Sequence, residues 1–138
     1  TGGLIARLAA GESVALVSDA GTPVVSDPGS NLVAAAHAAG IRIEPIPGPS
    51  APLTALSVSG MSAEPFCYVG FPPVKGNARK NWFASLATQP STIVLFEAPH
   101  RLRRTLEDLL LSVGDRKALI ARELTKAHEE LLLMPGTG

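Results

Sequence analysis

Two carboxylates stand where a folded chain puts its chemistry. Asp19 follows the apolar run Val14-Ala15-Leu16-Val17 and opens a loop, Ser18 to Gly29, holding two aspartates, two glycines and two prolines. Glu97 follows a second apolar run, Ile93 to Phe96, and precedes His100 and Arg101. Open α/β sheets collect their ligand sites at the carboxyl ends of strands, and both acids follow an apolar, strand-like run. Asp19 can accept hydrogen bonds from a ligand hydroxyl, a ligand amine or backbone amides. Gly21 and Gly29 permit close backbone approach, while Pro23 and Pro28 reduce the entropy lost when the loop orders. The same residues also make an Asx-type turn that holds no ligand. Glu97 can act as a base toward a bound hydroxyl. It can equally pair with Arg101 and fix a strand–helix junction, the commoner meaning of such spacing.

The elements that must position these acids alternate. Leu4, Ile5 and Leu8 predict a short amphipathic helix, stopped by Gly11. A strand is expected over Val14 to Ser18 and another at Ile41, Ile43 and Ile46, with an Ala-rich helix, Asn31 to Ala39, between them. Ser50 is placed to cap a helix over Ala51 to Val58. Beyond it the pattern predicts strands at Phe66 to Phe71, Thr92 to Phe96, Lys117 to Glu123 and Leu131 to Met134. Helices are expected over Asn77 to Ala87 and His100 to Val113, the second on the spacing of Leu102, Leu106, Leu109, Leu110 and Val113. Strand–helix alternation of this kind implies an α/β fold containing parallel strands. The weakly patterned stretch from Gly60 to Pro65 marks a domain boundary, giving domains 1–62 and 63–138.

Composition removes several classes of function. Hydrophobic residues make up 46% of the 138 and charged residues 17%, ample for a core and unlike a disordered tail. Formal net charge is +0, so the chain as a whole is no polycation. Charge is unevenly spread, however. Lys75, Arg79, Lys80, Arg101, Arg103 and Arg104 face one acid, Glu97, between positions 75 and 104. A local basic surface of this kind attracts phosphates, although solvated helix faces are the ordinary meaning of such charges. Cys67 has no partner for an internal disulfide and is expected as a small buried residue. The three histidines show no metal-ligand spacing. No apolar run approaches the roughly 20 residues that cross a bilayer, and no signal-peptide pattern is present, so the cytoplasm is the expected compartment. The sequence contains no GxGxxG, no G-x-S-x-G elbow and no P-loop lysine.

Five ordered blocks go further than composition. Ser18-Asp-Ala-Gly-Thr-Pro-Val-Val-Ser-Asp-Pro-Gly29, Pro47-Gly-Pro-Ser-Ala51, Tyr68-Val-Gly-Phe-Pro72, Phe96-Glu-Ala-Pro-His-Arg101 and Ala121-Arg-Glu-Leu-Thr-Lys126 cover nearly the whole chain. In wording and order they resemble a ribosomal RNA 2′-O-methylating family within the tetrapyrrole methylase-like superfamily. The resemblance implies a two-domain methylase fold with a parallel N-terminal and a mixed C-terminal sheet. It implies S-adenosylmethionine as cofactor and, as reaction, methyl transfer to the 2′-hydroxyl of a cytidine in small-subunit ribosomal RNA. Carried over position by position, it places Asp19, Ala20, Gly21, Thr22, Pro23, Ser50, Ala51, Gly70, Phe71 and Ala121 about the cofactor. Taken singly, Ser50 reads as a helix cap and Phe71 as core. Glu97 and Arg101 are the candidates for the catalytic step, and Lys75, Arg79, Arg101 and Arg122 for RNA contact. The expected partners are the small ribosomal subunit, or its RNA, and a second copy in a homodimer. Two blocks that usually precede this region are missing, so the resemblance also implies the interior of a longer protein with exposed sheet edges. Small-molecule methylases of the tetrapyrrole type usually carry Gly-Asp-Pro where this chain has Ser18-Asp19-Ala20, which favours the RNA branch. A cofactor-binding piece without activity is the remaining alternative.

Overall fold

The computed structural model describes residues 1–137, and these fall into two compact units divided between Ser50 and Ala51. This division falls earlier than the domain boundary expected at 62/63. Ala51, Ala55 and Leu56, on the helix that follows Ser50, line a cavity together with strands and helices of the second unit.

The first unit holds α1 (Gly2–Ala9) and α2 (Ser30–Ala38), which touch one another. Helix α1 ends near an exposed ion pair between Arg7 and Glu12, 2.7 Å apart. Ala36 is the buried hydrophobic residue of this unit. The two strands expected at Val14–Ser18 and Ile41–Ile46 are not formed, and among the described residues the unit contains no strand. The expected N-terminal parallel sheet is thus corrected to a pair of helices joined by irregular segments. A strand exists only when a neighbour takes up its N–H and C=O groups, and neither segment has such a neighbour. Val14, Leu16, Val17 and Ile46 accordingly remain exposed.

The second unit contains α3 (Ala51–Ser57), β1 (Phe66–Tyr68), α4 (Gly76–Ala87), β2 (Thr92–Val94), a 3₁₀ turn (Pro99–Arg101) leading into α5 (Leu102–Val113), and the strands β3 (Ala118–Arg122) and β4 (Glu130–Met134). Parallel pairing is found here: β1 lies beside β2 with Phe66 opposite Thr92 and Tyr68 opposite Val94. With α4 as the crossover, β1 and β2 form a βαβ unit. Two further backbone bonds, from the Val69 amide to Val94 and from the Phe96 amide to Gly70, both 2.9 Å, carry the pairing beyond the regular strands. β3 and β4 form a separate antiparallel pair, with Ala118 opposite Met134 and Arg122 opposite Glu130. α4 packs on α5. The core collects Leu56, Phe83 and Leu86. Phe96 meets the rings of Tyr68 and Phe71 edge-on, at centroid distances of 5.2 and 5.7 Å, a favoured aromatic geometry. Among the described residues no helix is long and apolar enough to cross a membrane.

Candidate functional site

In the first unit the loop after Val17 is tied down by one acceptor. The Thr22 amide donates to the Pro49 carbonyl at 3.0 Å, and the Thr22 hydroxyl donates to the same oxygen at 3.2 Å. Two of the sequence blocks, 27 positions apart, are therefore physically joined. Ser18 Oγ closes the turn by donating to the Gly21 carbonyl. Gly21 has φ of +78°, and a Cβ there would stand 3.2 Å from the Pro49 oxygen. Val24 and Ser26 also take positive φ, 82° and 53°, a conformation unfavourable for a β-branched residue and one that recurs at ligand clamps. Asp19 is exposed and, with Asp27, lines an open cleft of about 300 Å³ beside Leu16, Val17 and Gly29. Ala20, Gly21 and Thr22 are exposed and Pro23 is half-buried. Gly21→Ala should destabilise the loop by about 1–2 kcal/mol through the left-handed backbone alone. The check is faster hydrogen exchange at the Thr22 amide; unchanged exchange would show that the turn does not depend on glycine.

The remaining residues expected about the cofactor fall on either side of the unit division. Ser50 is half-buried and ends the first unit. Ala51 opens α3 and lines a cavity of about 640 Å³ in the second unit, as do Ala121 and Glu97. Ala121 is half-buried on β3, opposite Leu131. Gly70 accepts the Phe96 amide, and Phe71 is half-exposed with one edge against Phe96. The structure thus groups Asp19 and Asp27 around one cleft, and Ala51, Glu97 and Ala121 around one cavity.

Glu97 is nearly enclosed, with both carboxylate oxygens bonded. Its side chain is 3% exposed. Oε1 accepts the Ala98 amide at 2.8 Å and Arg101 Nε at 3.1 Å, and Oε2 accepts the Thr105 hydroxyl at 2.7 Å. Burial pushes the carboxyl pKa up, but the bonds from Thr105, Ala98 and Arg101, with the Arg101 charge, outweigh it and hold the group below its usual value. A carboxylate stabilised in this way is a weak base. The pairing of Glu97 with Arg101 expected as the alternative is present and ties the segment after β2 to the start of α5. Arg101, half-buried, gives Nε to Glu97 and lies with Nη1 3.3 Å from His100 Nε2.

Arg79 is corrected as well. Its side chain is 6% exposed. Nε and Nη2 donate to Asp108 Oδ2 at 2.9 and 2.6 Å, Nη2 reaches Thr105 Oγ1 at 3.3 Å, and Nη1 donates to the Pro73 carbonyl at 3.0 Å. The guanidinium also lies 4.8 Å from the centre of the Phe83 ring. With its donors committed inside the unit, Arg79 is not a surface contact for phosphate. Lys75 is exposed in extended backbone just before α4, and Gly76, at φ +75°, turns the chain into the helix. Arg122 is exposed and pairs with Glu130 across the hairpin at 3.3 Å. Thr105, which joins Glu97 to Arg79, and Asp108, which pairs with Arg79, had one legible signal. Thr105 falls on the apolar stripe of α5, between Leu102 and Leu109, where a hydroxyl needs a buried partner.

Comparison with known proteins bears on both units. The profile of the Tetrapyrrole (Corrin/Porphyrin) Methylases matches residues 3–137. The chain belongs to this family. Among similar proteins, the Ribosomal RNA small subunit methyltransferase I of Xylella fastidiosa is 53% identical over 130 residues, 94% of this chain and 48% of its own length. The protein of the same name from Mycobacterium tuberculosis is 54% identical over 123 residues, 88% of this chain and 43% of its own length. That from Escherichia coli O157:H7 is 45% identical over 129 residues, 93% of this chain and 45% of its own length. The chain therefore spans a little under half the length of these curated methylase relatives.

Proposed function

We propose that this chain serves an S-adenosylmethionine-dependent methyltransferase that modifies the 2′-hydroxyl of a cytidine in small-subunit ribosomal RNA. The observation that carries the reading is the 45–54% identity, across nearly the whole chain, to proteins named Ribosomal RNA small subunit methyltransferase I. The assembled small subunit is then the substrate, in the cytoplasm, and a homodimer the working form.

The residues of the first unit fit such a cofactor. Small side chains at Ala20 and Gly21 keep backbone groups accessible, and the exposed Asp19 carboxylate suits an ammonium or a ribose hydroxyl. Asp19, Ala20, Gly21, Thr22, Pro23 and Ser50 are the candidates for cofactor contact in this unit, and Ala51, Gly70, Phe71 and Ala121 keep that candidacy within the second. S-adenosylmethionine, when bound, supplies an electrophilic sulfonium methyl. The chain's own residues then fix the ribose hydroxyl in line with it, and proximity and orientation provide most of the acceleration. As the ribose oxygen takes the methyl from sulfur its proton passes to solvent, while Glu97 holds Arg101 at the start of α5. Lys75, Arg101 and Arg122 meet the RNA backbone.

The test follows methyl label from S-adenosylmethionine onto small ribosomal subunits with the intact protein. Label on the ribosomal RNA supports the reading; label on a tetrapyrrole and none on RNA overturns it. Asp19→Ala should weaken cofactor binding by about 10- to 100-fold, the worth of a hydrogen bond to a charged group, with folding little changed because the residue is exposed. An unchanged dissociation constant in a folded Asp19→Ala protein would remove Asp19 from the site.

A further inference from the structure

The buried Arg79 points outward through the groups it holds. Its Nη1 takes the Pro73 carbonyl from inside the unit at 3.0 Å. Arg104 Nη1 reaches the next carbonyl, that of Val74, from α5 at 3.4 Å. The two residues before Lys75 are thus held by arginines on two different helices. Arg104 stands three positions after Arg101, so both share one face at helical spacing. Arg101 is in turn fixed by Glu97, and Glu97 by Thr105, which accepts from Arg79. One connected set of buried polar groups therefore sets both the Lys75 loop and the Arg101 turn. Every buried side-chain polar atom among the described residues has a partner, and a fully satisfied network of this kind is rigid.

We propose that Arg79 is a positioning residue for RNA binding. By gripping the Pro73 carbonyl it fixes the loop that carries Lys75 beside Arg104 and Arg101, so that three cations meet the ribose–phosphate backbone as one preset surface. A surface already ordered binds without the entropy lost in ordering long side chains and a loop. This inference rests on the RNA reading given above.

The experiment measures binding of a short fluorescein-labelled single-stranded RNA by the intact protein at several salt concentrations. Wild type, Lys75→Ala, Arg79→Lys and the double variant are compared, with heat unfolding as the control for folding. Lys75→Ala should weaken binding about fivefold and reduce the salt dependence by about one counterion. Arg79→Lys keeps the charge but lacks the fork that reaches Pro73, Thr105 and Asp108 together. It should weaken binding by a similar factor, and the double variant should bind no worse than Lys75→Ala alone, because Arg79 acts through that loop. Should Arg79→Lys fail to fold, Asp108→Asn loosens the same arginine and is expected to give the same loss. Additive losses in the double variant would overturn the proposal, as would wild-type affinity in both folded Arg79→Lys and folded Asp108→Asn while Lys75→Ala binds weakly. In that second case RNA binding through Lys75 stands. If Lys75→Ala, Arg101→Ala and Arg104→Ala all bind RNA as wild type does, the RNA surface itself is wrong and the role of Arg79 falls with it.

Discussion

Arg79→Met should lower the stability of the second unit by about 3 kcal/mol. The substitution keeps most of the side-chain volume beside Phe83 and removes the donors. Asp108 then keeps a charge without its partner, and the Pro73 carbonyl and Thr105 hydroxyl each lose a donor. Breaking a buried pair from one side generally costs about 3–5 kcal/mol. The lower figure applies because the Asp108 side chain is 35% exposed and water can replace part of the loss. For a domain of this size the change corresponds to a fall of roughly 10–20 °C in the unfolding midpoint. Arg79→Lys should lose clearly less, since an ammonium still faces Asp108. A midpoint within a few degrees of wild type for Arg79→Met would mean that the buried network is dispensable for folding.

Glu97→Gln should cost about 2 kcal/mol at neutral pH, the scale of hydrogen bonds to a charged group, and the cost should shrink in acid. The sign follows from the direction of the pKa. Glu97 is held below its usual value in the folded chain, in spite of burial, by Thr105, Ala98 and Arg101. A carboxyl depressed by folding stabilises the native state above its unfolded pKa. That contribution disappears as pH falls through the folded value. Urea unfolding of wild type and Glu97→Gln between neutral pH and about pH 3 isolates this residue from the other carboxylates. The two curves should converge toward the acid end. Parallel curves over the whole range would show that Glu97 does not titrate with folding.

The contrast between the two units explains how far the sequence could be read. Helices were legible because their pattern is internal: the leucine spacing of α5 and the stop at Gly114 need no partner to be recognised. Four strands of the second unit were legible for the same reason, and the ladder bonds at Val69 and Phe96 account for the longer spans expected there. Val14–Ser18 and Ile41–Ile46 have equally strand-like wording. They fail because a strand also requires a hydrogen-bonded neighbour, a property of the fold that no local pattern contains. Site residues divide similarly. The spacing of Glu97 and Arg101 gave their ion pair. A basic residue in a basic stretch says nothing of its depth, so Arg79 read as surface. Its partner Asp108 lies 29 positions later on α5, too far for any spacing rule.

The two hydrogen bonds from Thr22 to the Pro49 carbonyl have a consequence for the order in which the chain becomes competent. Thr22 emerges from the ribosome 27 residues ahead of the Pro49 carbonyl that anchors it, an interval of roughly 1–5 s at ordinary rates of synthesis. During that interval the turn at Gly21 has nothing to close against, and the acidic loop is without its final shape. A nascent chain therefore cannot present the Asp19 cleft as it is built until Pro49 has followed it into solution.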